Sequence, residues 1–224
     1  MINALIFDFD GLILDTETPE FRAWQEVYHA YHVALPLETW ATCIGAFGGF
    51  DPYAYLEEQV GQPVDREAIR STRRARFAEL LANESVLPGV EQTIAEAKRR
   101  GLRLGVASSS DRAWVTGHLD RLGLAHHFTC VRTRDDVQQA KPDPALYLDA
   151  ASGLGVSPAQ AVALEDSPNG ILAAKRAGLY CVVVPNPMTH TLSLELADLR
   201  LASLSELSLD HLLEQMASGS SQEE

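Results

Sequence analysis

The sequence predicts an α/β protein, a Rossmann-like parallel-sheet core interrupted by an all-helical insertion. Three observations predict it. From Leu87 onward apolar strands alternate with amphipathic helices, the pattern of a parallel sheet with right-handed crossovers. From about Thr16 to Ser85 helix follows helix with no strand. An apolar strand, Ala4 to Phe9, precedes that helical stretch and would leave its backbone unmatched unless it joined the sheet downstream. The chain therefore divides into a core of residues 1–15 and 86–224 and an inserted domain, residues 16–85. Two linkers, Asp15–Pro19 and Ser85–Gly89, join them and permit hinge motion over the strand ends.

The elements follow in order. Thr18-Pro19 predicts a helix start, with Pro19 tolerated in the first turn. Phe21, Trp24, Val27/Tyr28 and Tyr31 then form an apolar stripe at helical spacing, most simply a core face. Leu37 to Ile44 predicts a short helix, and Gly45-Ala46-Phe47-Gly48-Gly49-Phe50 a glycine-rich loop too irregular for a dinucleotide fingerprint. Asp51-Pro52 starts a helix to about Val60. Asp65 caps a longer one with Ile69, Phe77, Leu80 and Leu81 on its apolar side. Arg70, Arg73, Arg74 and Arg76 occupy its exposed side, either as a solvated face or as a source of cations for a site.

At Leu87-Pro88-Gly89 the character changes. A helix from Val90 to Arg100 stops at Gly101, and a strand from Leu102 to Ala107 ends in Ser108-Ser109-Ser110. A helix from Asp111 to Leu122 precedes a short strand, Phe128 to Arg132. Ala140-Lys141-Pro142-Asp143-Pro144 opens a helix to about Ser152. The strand Ala161 to Leu164 ends in Glu165-Asp166-Ser167, and the helix from Pro168 to Ala177 stops at Gly178. A strand from Leu179 to Val184, an edge strand at Leu199 to Leu201, an amphipathic helix from Leu207 to Met216 and a disordered polar tail, Ser218 to Glu224, complete the chain.

Composition narrows the function. A net charge of −13 argues against a nucleic-acid binder and against docking on an anionic membrane. Three scattered cysteines, Cys43, Cys130 and Cys181, suit reduced thiols in a reducing compartment. Asp8 and Asp10 interrupt the first apolar run, so no signal peptide is visible, and no stretch is apolar enough to span a membrane. The expectation is a cytoplasmic protein, a monomer or weak homo-oligomer.

The chemistry gathers at strand ends. On an extended chain Asp8 and Asp10 share one side with Phe9 opposite, and Gly11 lets the chain turn just past them. Two carboxylates this close repel unless a cation lies between them or one holds a proton, and Mg²⁺ is the common choice beside a phosphate. Ser108-Ser109-Ser110 and Glu165-Asp166 end two further strands, at the edge where open α/β sheets bind ligands. Lys141 adds a cation. A nucleophile, a metal, hydrogen-bond donors and a cation are what phosphoryl transfer requires. His126-His127 and His29/His32 read as structural or surface histidines with no partner cluster for zinc.

Asp8-x-Asp10-Gly11, Ser108, Lys141-Pro142 and Glu165-Asp166-Ser167-Pro168-Asn169-Gly170, in this order, resemble the four motifs of the haloacid dehalogenase superfamily. The helical insertion resembles that family's C1-type cap. The resemblance implies a phosphatase with Asp8 as nucleophile and Asp10 as general acid and base. It implies Mg²⁺ held by Asp8, the Asp10 carbonyl and Asp166, with Glu165 in support. It also implies Ser108 and the Ser109 N–H on the phosphoryl group and Lys141 neutralising charge. Because both acids are present, carbon–halogen cleavage is not expected.

Asp15-Thr16-Glu17 and Phe21-Arg22-Ala23-Trp24 are similar to the β-phosphoglucomutase-like and small-phosphate phosphatase branch. Where the mutase has a cap-helix histidine and a cap-loop arginine, this chain has Glu20 and the uncharged Ala46–Phe50. Where the mutase has Lys-Asn after the serines, this chain has Asp111-Arg112. Phosphatase action on a small phosphorylated metabolite is the expectation, with a mutase as the alternative and a non-catalytic phospho-ligand binder as a remote one.

Overall fold

The computed structural model describes residues 1–41, 50–206 and 208–219. At its centre are six parallel strands in the order β3-β2-β1-β4-β5-β6. They are β1 (Ala4–Phe7), β2 (Arg103–Ala107), β3 (Cys130–Arg132), β4 (Ala161–Glu165), β5 (Tyr180–Val183) and β6 (Leu199–Arg200). β1 lies between β2 and β4, with Leu5 paired to Leu104 and Val162. All four of its residues are buried, the continuous apolar run of a strand covered on both faces.

Alternation along the strands sorts the two faces. Leu5, Phe7, Val106, Val162, Leu164 and Val182 face one layer of helices, α5 (Val90–Arg99), α6 (Arg112–Arg121) and α9 (Leu209–Gly219). Ala4, Ile6, Ala107, Ala161, Ala163 and Cys181 face α7 (Ala145–Gly153) and α8 (Pro168–Ala177). Cys130 and Cys181 are free thiols, both buried; Cys43 lies outside the described residues.

Between β1 and α5 come α1 (Glu17–Ala30), α2 (Leu37–Ala41), α3 (Pro52–Val60) and α4 (Arg66–Ala82). Asp51 and Asp65 cap α3 and α4 through side-chain oxygens. Phe21, Trp24 and Tyr28 of α1 pack with Leu35, Trp40, Leu56 and Ile69 into a separate apolar cluster, joined by Met188 from beyond β5. The glycine-rich loop and the end of the helix expected to reach Ile44 lie outside the described residues, apart from Phe50. So do the last residues of the expected polar tail; Ser218 and Gly219 belong to α9.

The strand expected to reach Phe9 pairs regularly only to Phe7, because the chain turns at once. The Asp8 N–H still bonds to the Leu164 carbonyl (2.9 Å), while Ile13 N–H folds back onto the Phe9 carbonyl (3.0 Å) and Gly11 N–H onto that of Leu14 (2.8 Å). Gly11 takes φ +81°, where a side chain would be strained. Leu14 then bridges Val86, and Leu87 N–H bonds to the Ile13 carbonyl (2.9 Å). The two segments that lead into and out of the helical insertion therefore run side by side.

Lys141 does not open a helix, as the sequence had suggested. Pro142 and Pro144 hold the chain in a turn whose Lys141-Pro142 peptide is cis. α7 begins at Ala145, with the Asp143 carboxylate accepting the Ala145 N–H at 2.9 Å. Among the described residues no helix is long and apolar enough to cross a membrane.

Candidate active site

Asp8 leaves the end of β1 nearly buried and accepts a hydrogen bond from Lys141 Nζ at 2.5 Å. The same ammonium reaches Glu165 Oε1 at 2.6 Å and stands 5.0 Å from the centre of the Tyr147 ring. Glu165, the last residue of β4, is fully buried. Tyr147 Oη donates to its Oε1 (2.6 Å), and the Asp166 and Ser167 N–H groups and Ser167 Oγ donate to its Oε2. Asp166 follows at once, 2 % exposed, its Oδ2 taken by Asn186 Nδ2 at 2.7 Å.

Charge here is unbalanced. Asp8, Glu165 and Asp166 bring carboxylate oxygens within 4.8 Å of one another, and among the described residues the Lys141 ammonium is the only positive charge in contact with them. Burial would push that ammonium down, but Asp8 and Glu165 outweigh it and hold it above its usual range. Burial pushes Asp8 up to about 7; Lys141 opposes this, and Glu165 and Asp10 add to it. Burial, then repulsion by Asp8 and Glu165, raises Asp166 well above the carboxylate range. A buried, oxygen-only set in which Asp8 and Asp166 are both raised fits a hard divalent cation, whose charge would replace their protons. It is the one candidate metal cluster among the described residues, and no histidine belongs to it.

Asp10 faces another way. Its Oδ2 accepts from Ser110 Oγ (2.6 Å) and Ser108 Oγ (3.3 Å), and its Oδ1 from Trp114 Nε1 (2.9 Å). Ser108 is fully buried beneath the site and also accepts the Ser110 N–H at 3.0 Å. Ser109 and Ser110 line a cavity of about 370 Å³ whose floor holds Asp8, Asp10, Lys141 and Asp166. Ser167 and Asn169, at the start of α8, close one side; Trp114 and Arg134 stand on another. Glu17, Glu20 and Phe77 come from the helical insertion. Burial, and then the nearby charge of Asp10, raises Glu17 to about 8. The sequence-predicted residues thus converge from three strand ends and, for Lys141, from the turn before α7, with Ser108 and Glu165 set beneath the cavity and the others at its floor or wall.

The basic face of α4 resolves into different fates. Arg73 pairs with Glu20 and stacks on Trp24 at 5.3 Å, so it is withdrawn from the solvated face and tied to a cavity residue. Arg76 pairs with Glu26 and Glu79, Arg70 with Glu67, and Arg74 is exposed. Sequence reasoning missed Asn186, Trp114 and Tyr147. Asn186 had a readable signal, since it follows β5 at the same sheet edge as the other strand ends. Trp114 and Tyr147 had none, being aromatic positions on helices that look like ordinary packing.

The model of the family described as haloacid dehalogenase-like hydrolase matches residues 5–184, which include every residue lining the cavity. The chain belongs to that family. This hydrolase is 51 % identical to the Bacillus subtilis (strain 168) protein named "Putative phosphatase YhcW", over 97 % of its own length and 99 % of that protein's. It is 33 % identical to hexitol phosphatase B of Escherichia coli (strain K12), over 95 % of its own length and 97 % of that protein's. The solved structure described as "putative beta-phosphoglucomutase from Thermotoga maritima" superposes with a TM-score of 0.77 at 27 % identity, covering 95 % of the hydrolase and 99 % of that chain.

Two predictions arise from the packing and charge of the hydrolase. A Cβ at Gly170 would lie 1.9 Å from the Glu165 carboxyl group, which cannot swing aside without breaking its bonds to Lys141, Tyr147 and Ser167. Gly170→Ala is expected to cost about 2–3 kcal/mol in urea unfolding. Asp8, Glu17 and Asp166 hold protons more tightly folded than unfolded. Their stabilisation is complete below the unfolded carboxylate pKa and is lost as pH rises through the folded values, about 7 for Asp8 and about 8 for Glu17. Protein stripped with EDTA should therefore melt several degrees lower at about pH 8.5 than at about pH 5.5, with added Mg²⁺ restoring most at the higher pH. Calorimetry across that window checks it; a melting temperature rising from the lower to the higher pH would contradict it.

Proposed function

We propose that this hydrolase is a Mg²⁺-dependent cytoplasmic phosphatase that cleaves the monophosphate of a small metabolite through an aspartyl-phosphate on Asp8. The observation that carries the reading is the buried Asp8–Lys141–Glu165–Asp166 group on the floor of a cavity, with Asp10 held separately beside it. The phosphatases among its relatives support the reading.

Asp8 Oδ would attack phosphorus, forming one P–O bond as the ester P–O bond breaks. Asp10, steadied by Ser110 and Trp114, would give a proton to the departing alkoxide. It would then take one from the water that hydrolyses the acyl phosphate. Lys141 would keep Asp8 ionised and offset phosphate charge, and Glu165 and Tyr147 would hold Lys141 in place. Ser109, with Ser108 beneath it, would bond to the phosphoryl oxygens from the start of α6. A magnesium ion held by Asp8, Asp166 and the Asp10 carbonyl, with Glu165 in support, would draw charge from a phosphoryl oxygen. Residues 16–85 would act as a cap that closes over the cavity and excludes bulk water.

Hydrolysis is favoured over a mutase by the cap's charges. A mutase must grip the second phosphate of a bisphosphate, yet Arg73 is committed to Glu20, and residues 42–49 contain no charged side chain. A screen of phosphorylated metabolites with Mg²⁺, reading released phosphate, tests the proposal and names the substrate. β-Glucose 1-phosphate with a trace of the 1,6-bisphosphate should give free phosphate or nothing; glucose 6-phosphate as the product would establish the mutase instead.

A further inference from the structure

Asn186 is buried in the turn after β5, outside the lining of the cavity. Its Nδ2 donates to Asp166 Oδ2 (2.7 Å) and the Gly11 carbonyl (3.3 Å). Its Oδ1 accepts the N–H groups of Met188 (2.8 Å) and Thr189 (3.1 Å), and its own N–H donates to Thr189 Oγ1 (3.0 Å). Donors on one side and acceptors on the other leave the amide a single orientation, since a flip would set oxygen against the carboxylate and the carbonyl. The turn is pinned further by Met188, whose side chain is buried in the cluster of the helical insertion.

Gly11 lies against the same carboxylate oxygen and against the Asn186 amide. A Cβ there would lie 2.3 Å from Asp166 Oδ2 and 2.6 Å from Asn186 Nδ2, so both groups pack against a bare Cα. The Asn186 bond is the only one made to the Asp166 side chain among the described residues. A carboxylate surrounded by Asp8, Glu165 and Glu17 would otherwise swing away from their charge.

We propose that Asn186 is a positioning residue for divalent-cation binding: its amide fixes the Asp166 carboxylate in the orientation that holds the ion. This rests on the reading of Asp166 as a metal ligand. Partners that hold a ligating carboxylate typically contribute about 10- to 100-fold to metal affinity.

Asn186→Ser tests it. Serine keeps an oxygen able to accept from the N–H groups of the turn but is too short to reach Asp166. Thr189→Val is the control, loosening the same turn without touching the Nδ2 bond. Circular dichroism checks that both fold, and isothermal titration with Mg²⁺ alone reads affinity apart from turnover. Asn186→Ser should raise the Mg²⁺ dissociation constant about tenfold or more, with kcat at saturating Mg²⁺ within about threefold of wild type. Thr189→Val should bind Mg²⁺ within about twofold of wild type. Equal affinity in wild type and Asn186→Ser, or equal weakening in both variants, overturns the positioning role. Absence of Mg²⁺ binding in the wild type overturns the metal assignment itself.

Discussion

Asp8→Asn is expected to lower phosphate release on the order of 10⁴-fold or more while leaving a folded protein. The amide keeps the shape of the carboxylate and can still accept the Lys141 hydrogen bond, but it cannot attack phosphorus. The fold should gain from the change. Asp8 carries a burial penalty that lifts its pKa to about 7, so a neutral amide relieves charge at alkaline pH. In EDTA at about pH 8.5 the variant should melt above the wild type, an inactive protein more stable than the active one. Aryl phosphate hydrolysis, with melting followed in the same samples, checks both halves. Activity surviving the substitution would remove Asp8 from the nucleophile's role.

Lys141→Met is expected to damage stability and activity together. Among the described residues the ammonium is the one positive group in contact with Asp8 and Glu165. Removing one partner of a buried ionic group leaves uncompensated charge and costs about 3–5 kcal/mol. For a chain of this length that lowers the melting temperature by roughly 10 °C. The deficit should grow with pH, because Asp8, already raised by burial, loses the one group that opposes that rise and holds its proton still more tightly in the fold than out of it. That contribution is kept at low pH and lost as pH rises. Turnover at saturating Mg²⁺ should fall on the order of 10²- to 10³-fold, as it does when a charge-stabilising group is lost from a site. Lys141→Arg should not rescue it, since a planar fork cannot replace a compact ammonium between two buried oxygens. Thermal melts at two pH values and steady-state kinetics on the same preparations read these effects.

The legible parts were those written in local pattern. Alternating apolar runs and caps such as Asp51, Asp65 and Asp111 specified the parallel sheet and most helix starts. Polar residues just past β1, β2 and β4 marked the edge where the cavity lies. What periodicity does not encode is direction and partnership. Nothing local says that Asp10 turns toward Trp114, or that Glu165 spends its oxygens on Lys141, Tyr147 and backbone N–H groups. Arg73 looked like its neighbours on α4, and only the packing of α4 on α1 commits it to Glu20. A proline pair such as Pro142 and Pro144 is compatible with a helix start or with a turn before one, and the sequence alone does not say which side of the boundary Lys141 falls on.

The central claim is a covalent phosphoryl-enzyme on Asp8, and Asp10→Asn with p-nitrophenyl phosphate and Mg²⁺ tests it most directly. Nitrophenolate leaves without needing a proton, so Asp8 can still be phosphorylated. The attacking water, lacking its base, cannot readily release the phosphate. The account predicts a burst of nitrophenolate equal to the enzyme present, and a phosphoryl group on the Asp8 peptide after acid quench. No burst and no labelled peptide, in an enzyme whose wild type turns over the same ester, would contradict it.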